Sequence, residues 1–261
     1  PFHGMKPLPS DDLQLTQHVL GQKYSSIKSK LLKGKRKNLR QQALKLFFKV
    51  TLQAENSWVD ESKDFKNIVL VVDPANGSLT GIAKEIFIKV GFGNVFEVNA
   101  KLNGNVNVFS GVADLEGLKQ ITAGQIKNPS GFFRRHKAIL KLFEVGRKYK
   151  ASLRQGTMHV VGAIFDADAD RFFMLEYDPF KDLLWVLSGD ETAILQAQHL
   201  STRFPKKYKG SLYVNTVESD LNAAKAAEKM GFKPEVTAVG DKWILLKILL
   251  KQLEQKSKYP D

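Results

Sequence analysis

Three aspartates alternate with alanines in the run Asp166-Ala167-Asp168-Ala169-Asp170-Arg171, directly after the apolar run Met158 to Phe165. Carboxylates this close raise one another's pKa and cannot comfortably be ionised together. A divalent cation removes that conflict. Mg²⁺ takes carboxylate oxygens at about 2.0–2.1 Å and keeps positions open for water or a phosphate oxygen, which suits phosphoryl transfer. Arg171, one residue on, can fork onto a phosphate that the metal also touches. A solvated acidic turn is the plain alternative, set against the eight-residue, mainly apolar strand that leads straight into the loop. An EF-hand loop is excluded, because its sixth position requires Gly where Arg171 stands. An Asp-dependent phosphatase of the haloacid-dehalogenase type also places Asp-x-Asp after an apolar strand. Its motif continues into Thr or Val and a small turn, not a third Asp and an Arg, and it stays open as an alternative.

The elements around the loop are those of an α/β protein. Met158 to Phe165 reads as a strand, and ligands of open α/β sheets bind beyond the carboxyl ends of strands, where this loop lies. Upstream, Ile68 to Val72 is a continuous β-branched and apolar run, a buried parallel strand that leaves through Asp73-Pro74-Ala75-Asn76-Gly77. That segment reads as a strand-exit turn. Leu79, Ile82, Ile86 and Val90 share a helical face, and Asn94 to Val98 is the next strand, which completes a βαβ unit. Another βα element follows, then a basic amphipathic helix from about Phe133 to Lys150. Beyond the acidic loop, Phe172 to Tyr177 and Leu183 to Leu187 form a hairpin through Asp178-Pro179. Gly189-Asp190-Glu191 opens a helix, Ser211 to Asn215 is a short strand, and Ser219 caps a helix that stops at Gly231. Lys242 to about Leu253 is helical and apolar. The predicted architecture is two consecutive three-layer αβ domains with mixed, mostly parallel sheets, over 65–176 and 177–261. A helical basic segment over 1–64 precedes them.

In that segment Ser10 reads as an N-cap with Asp11 and Asp12 in the first turn. Leu13, Leu20, Tyr24, Ile27 and Leu31 then make one apolar stripe. Lys28, Lys30, Lys33, Lys35, Arg36, Lys37 and Arg40 follow without an intervening acid, before a second helical pattern of Leu39, Ala43, Leu46 and Val50. The cluster reads as a solvated loop between helices or as a phosphate or nucleic-acid contact. A net charge of +13 and a pI near 9.7 favour anionic ligands without choosing among them. With no cysteine, disulfides, thiolate zinc sites and a Cys nucleophile are excluded, and any metal is held by oxygen or histidine. No apolar stretch approaches the roughly 20 residues that span a bilayer, and the N-terminus lacks the layout of a secretion signal. A soluble, cytoplasmic chain is expected, with no membrane partner. Nucleic-acid binding is disfavoured, since the basic region lacks interleaved aromatics and a reading motif.

The order of apolar strand, Asp-x-Asp-x-Asp-Arg, hairpin, Gly-Asp-opened helix, short strand, Ser-capped helix and Val239-Gly240-Asp241-Lys242-Trp243-Ile244 resembles domains two and three of the α-D-phosphohexomutases. Val71 to Ser78 is similar to the opening strand and turn of their domain two, and the resemblance covers about residues 65 to 255. It implies a Mg²⁺-dependent phosphohexose mutase that moves a phosphoryl group between the 1- and 6-positions of a glucose or mannose phosphate through a bisphosphate. By the same resemblance Asp166, Asp168 and Asp170 would hold Mg²⁺, Arg171 would contact phosphate, and Gly240, Asp241 and Lys242 would lie near the phosphosugar. Three departures stand beside it. No Thr-Ala-Ser-His-Asn-Pro type of loop is present, and Ser10, Ser25, Ser26 and Ser29 lie in other contexts, so no nucleophile is nominated. Neither the sugar-selecting Gly-Glu-x-Ser-Gly-His loop nor the fourth, phosphate-gripping domain occurs, so a fragment of a larger enzyme is expected. Ala167 stands where the family usually has Gly, so the backbone there must avoid positive φ or be strained. A catalytically silent phosphosugar-binding or regulatory relative is the alternative; which hexose phosphate is used and the oligomeric state stay open.

Overall fold

The structure is a computed structural model that describes residues 7–23, 35–53 and 65–258. Tyr24, Ile27 and Leu31 of the predicted stripe, Lys28, Lys30 and Lys33 of the basic cluster, and Ser25, Ser26 and Ser29 lie outside the described residues. In chain order the helices and strands begin with α1 (Pro9–Leu20), α2 (Arg40–Thr51), β1 (Ile68–Asp73), α3 (Ala83–Val90), β2 (Asn94–Glu97) and β3 (Gln120–Thr122). They continue with α4 (Ala123–Lys127), α5 (Lys137–Lys148), α6 (Lys150–Arg154), β4 (His159–Phe165), β5 (Phe172–Asp178) and β6 (Leu183–Leu187). The last are α7 (Gly189–Arg203), α8 (Pro205–Tyr208), β7 (Leu212–Thr216), α9 (Leu221–Lys229), β8 (Lys233–Thr237) and α10 (Asp241–Lys258). The chain divides into two compact units, one of residues 39–192 and the other of 1–38 with 193–261.

The unit of residues 39–192 is built on a six-stranded sheet in the order β2-β1-β4-β5-β6-β3. β1 pairs parallel with β2 and β4, and the remaining pairings are antiparallel, so β1, β2, β4 and β6 run one way and β5 and β3 the other. The pleat explains the apolar run of β1, because successive side chains point to opposite faces. Val69 and Val71 enter a core with Ile139, Leu142 and Phe143 of α5, whereas Leu70 and Val72 enter a second core with Ala83 and Phe87 of α3. Helices therefore cover both faces at β1, the expected three layers. α5 buries Ala138, Ile139, Leu142, Phe143, Val145 and Gly146, a helical face pressed on the sheet. Fully burying each such aliphatic side chain stabilises the fold by about 1.5–3 kcal/mol. β5 alternates instead, burying Phe173, Leu175 and Tyr177 on the α5 side.

Two domain expectations need correction here. A boundary between 176 and 177 would cut β5, whose partner β6 carries the sheet on to Leu187. The reason is that Leu184 and Val186 of β6 fill the same core as β5 and cannot be separated from it. The helical segment over 1–64 likewise divides, with α1 in one unit and α2 in the other. α2 forms where its periodicity predicted and α1 takes in Leu13 and Leu20 of the first stripe, yet neither helix buries a residue.

In the other unit β7, α9 and β8 make a βαβ turn with β7 and β8 parallel. Ala197, Ala227 and Phe232 form its core, with Ile194, Tyr208 and Tyr213 against them. Two caps differ from expectation. α1 begins at Pro9, whose missing N–H costs nothing in a first turn, so Ser10 lies inside the helix and Leu8 precedes it. α9 is capped by Asp220, whose carboxylate accepts from the Asn222 amide at 2.8 Å. Ser219 instead accepts from the Thr216 amide at 3.4 Å. No described helix is long and apolar enough to cross a membrane.

Candidate metal centre

The acidic loop leaves β4 at Phe165 and returns into β5 at Phe172. The register that makes Phe165 face Phe172 closes the loop and leaves six residues to turn between them. One oxygen from each of Asp166, Asp168 and Asp170 can lie within 4.8 Å of the others, a separation one cation can bridge. Asp166 is buried, whereas Asp168 and Asp170 face outward. The tight turn is taken at Ala169, with φ 67°, and Ala167 avoids positive φ as expected.

Arg171 closes the loop electrostatically. Its amide donates to Asp166 Oδ1 at 3.1 Å and its Nε to Oδ2 at 2.9 Å. A second carboxylate, Glu116, accepts from Arg171 Nη1 at 2.6 Å. Burial pushes the Asp166 carboxyl up, but Arg171 outweighs it and holds the group below the usual carboxylate range. Asp170 goes the other way: partial burial, then the charges of Asp168 and Asp166, raise it. That residual repulsion is the condition a divalent cation relieves, and the oxygen donor set is the kind that hard Mg²⁺ prefers. The residues present therefore fit a bound Mg²⁺.

Sequence reasoning missed the surroundings of the loop. Glu116 lies 55 residues from Arg171 in no motif, so only the fold brings the two together. The turn after β1, read as a plain strand exit, holds Asp73 with no exposed surface. Asp73 Oδ1 accepts from the Ala75 amide at 2.8 Å, and Oδ2 accepts from Asn99 Nδ2 at 2.8 Å and the Gly111 amide at 3.2 Å. Burial pushes its carboxyl up to about 6 against the pull of these donors. His136, also fully buried, reaches the Gly111 carbonyl through Nε2 at 3.3 Å, and burial lowers its pKa to about 4. The signal available in sequence was Asp73 itself, a carboxylate ending a fully apolar strand.

Gly240, Asp241 and Lys242 lie in the other unit. Gly240 has φ 116°, a conformation that favours glycine, and its carbonyl accepts from the Trp243 amide at 3.1 Å to begin α10. The Lys242 amide donates to Asp241 Oδ1 at 3.0 Å, and its Nζ meets Asp12 Oδ2 of α1 at 3.0 Å.

Residues 188–254 match the family model described as phosphoglucomutase/phosphomannomutase, alpha/beta/alpha domain III. That match begins where β6 ends. Among curated proteins the chain is similar to phosphoglucosamine mutase of Caldicellulosiruptor saccharolyticus, 28% identical over 186 residues, or 71% of this chain and 32% of that protein. The corresponding enzyme of Caldicellulosiruptor bescii is 29% identical over 190 residues, again 71% and 32%. The chain thus spans about a third of the length of these relatives. Among solved structures, a phosphoglucomutase/phosphomannomutase family protein of Burkholderia thailandensis aligns over 83% of this chain and 36% of that one, at 18% identity and TM-score 0.49. An N-acetylglucosamine-phosphate mutase, in its apo form, aligns over 78% and 39%, at 16% identity and TM-score 0.48. The domain III match over residues 188–254 and the similarity to phosphoglucosamine mutases both support the α-D-phosphohexomutase superfamily.

Proposed function

We propose that the chain carries the metal-holding and phosphosugar-contacting parts of a Mg²⁺-dependent phosphohexose mutase, an isomerase acting on a hexose 1- or 6-phosphate. The observation that carries the reading is the placing of three aspartates at the carboxyl end of β4, their oxygens within reach of a single cation. Asp166, Asp168 and Asp170 would hold the ion. When bound, Mg²⁺ neutralises charge on a transferring phosphoryl group. Arg171 keeps Asp166 ionised, and its guanidinium, 55% exposed, offers donors to phosphate oxygens. Asp241 and Lys242, at the start of α10 after the Gly240 turn, are proposed to contact the phosphosugar, as the family resemblance implies. For Lys242 this requires exchanging its ion pair with Asp12 for an anionic ligand.

The experiment is calorimetric titration of the chain with Mg²⁺, then with glucose 1-phosphate in its presence, repeated on Asp168→Asn and Lys242→Ala. Asp168→Asn removes a metal ligand and is expected to weaken Mg²⁺ by more than about tenfold. Lys242→Ala should leave Mg²⁺ unchanged and weaken the sugar phosphate. Equal Mg²⁺ binding by wild type and Asp168→Asn would overturn the assignment of the acidic loop.

A further inference from the structure

The two residues that flank Asp166 are each gripped by backbone from elsewhere in the fold. On one side, the Ser78 amide donates to the Ala167 carbonyl at 2.8 Å. Gly77 comes so close that a Cβ there would sit 2.1 Å from the same oxygen. On the other side, Gly111 leaves no room for a Cβ, which would lie 2.9 Å from the Phe165 carbonyl oxygen and 2.8 Å from Ala75 Cβ. Gly111 also has φ 74°, so a side chain is disfavoured there twice over.

Both gripping segments hang on Asp73. Its carboxylate takes the amide of Ala75 within the β1 exit turn and the amide of Gly111 from the distant loop, while Asn99 Nδ2 completes its bonds. Burying a carboxylate is costly unless its oxygens are bonded, and these donors meet that condition. The turn that results is strained, with Ala75 at φ 53° and Asn76 at φ 55°. The consequence of that shape is the contact of Gly77 and Ser78 with Ala167. Asn76 secures the turn further, its amide donating to the Asn99 carbonyl at 2.7 Å.

We infer that Asp73 is a positioning residue for the acidic loop: by tying the β1 exit turn to Gly111, it fixes the backbone on both sides of Asp166 and sets the separation of the three carboxylates. The inference rests on the metal reading above. Asp73 acts through Ala75, Gly77, Ser78 and Gly111, not by touching the metal. In Asp73→Asn the NH₂ group faces a backbone donor in either orientation, the Ala75 amide or the Gly111 amide, so one of the two backbone ties opens with almost no change in volume. Gly77→Ala disturbs the same seat from its far end, by pressing on Ala167.

The test measures Mn²⁺ affinity by the electron paramagnetic resonance signal of free Mn²⁺. The proteins are wild type, Asp73→Asn, Gly77→Ala and the control Tyr177→Phe, each checked for folding by circular dichroism. Tyr177→Phe removes a hydrogen bond to Asp182 near the end of β5 remote from the loop, and so loses stability without touching the seat. Asp73→Asn and Gly77→Ala are expected to weaken Mn²⁺ by about tenfold or more, and Tyr177→Phe to match wild type. Wild-type affinity in both seat variants overturns the inference alone. Absence of Mn²⁺ binding by wild type overturns the metal reading and the inference with it. Should Asp73→Asn fail to fold, Gly77→Ala decides the question.

Discussion

Gly146→Ala sets two physical effects against each other inside unit 39–192. Alanine is the better helix former, and in an exposed helix interior the change would stabilise by roughly 1 kcal/mol. In α5, however, Gly146 faces the sheet, and a Cβ there would lie 2.3 Å from Tyr177 Cγ and 2.5 and 2.6 Å from its Cδ atoms. The ring would have to retreat by about 1 Å to restore ordinary contact. It is not free to do so, because its hydroxyl donates to Asp182 Oδ1 at 2.7 Å. That carboxylate is itself gripped by Arg147 through bonds of 3.0 and 2.9 Å. Overpacking costs about 1–3 kcal/mol, and losing a hydrogen bond to a charged acceptor about 1.5–3 kcal/mol. Less the helix gain, Gly146→Ala is expected to destabilise by about 3 kcal/mol. For a unit of this size that lowers the thermal midpoint by roughly 6–12 °C. Urea and thermal unfolding followed by circular dichroism measure it, and the double variant with Tyr177→Leu should lose less than the two single losses combined. A Gly146→Ala protein as stable as wild type would refute the reasoning, since helix propensity alone would then govern the site.

Two further outcomes follow from the same accounting. His136 is held neutral by burial at a pKa of about 4, against 6.5 when unfolded, so its contribution is present above pH 6.5 and is lost as pH falls toward 4, by about 3 kcal/mol. Asp73, raised to about 6 from 3.8, gains stability over much of the same window as pH falls and masks the loss in wild type. The stability difference between wild type and His136→Gln is therefore the quantity to read, by urea midpoints at pH 7 and pH 4.5; a difference independent of pH would show that His136 is not buried neutral. Asp220→Ala should cost about 1 kcal/mol by removing the α9 cap, and more than Ser219→Ala in the same urea assay; the reverse ranking would restore Ser219 as the cap.

The sequence by itself determined the elements whose signal is local. β1, β4 and the β5–β6 hairpin were legible because apolar runs and alternation report the pleat directly, and α2 and α5 because their apolar residues recur at helical spacing. The acidic loop was legible for the same reason: its three carboxylates are neighbours in the chain, so their mutual repulsion and their remedy can be argued without a fold. β8 was missed, since Lys233-Pro234-Glu235-Val236-Thr237 has a proline and charges where strand signals are read. It exists through its pairing with β7, which is not a local property. The domain boundary was misplaced because the hairpin's sequence does not say which core it fills; only the packing of Leu184 and Val186 decides that. The seat of the acidic loop was hidden for the same reason. Asp73, Asn99, Gly111 and Glu116 are scattered along the chain and carry no periodicity, and their task arises only when the parallel pairing of β1 with β4 brings the β1 exit turn beneath the acidic loop. Spacing along the chain reports chemistry that neighbours perform together, whereas the positioning of that chemistry depends on contacts that only the folded chain can make.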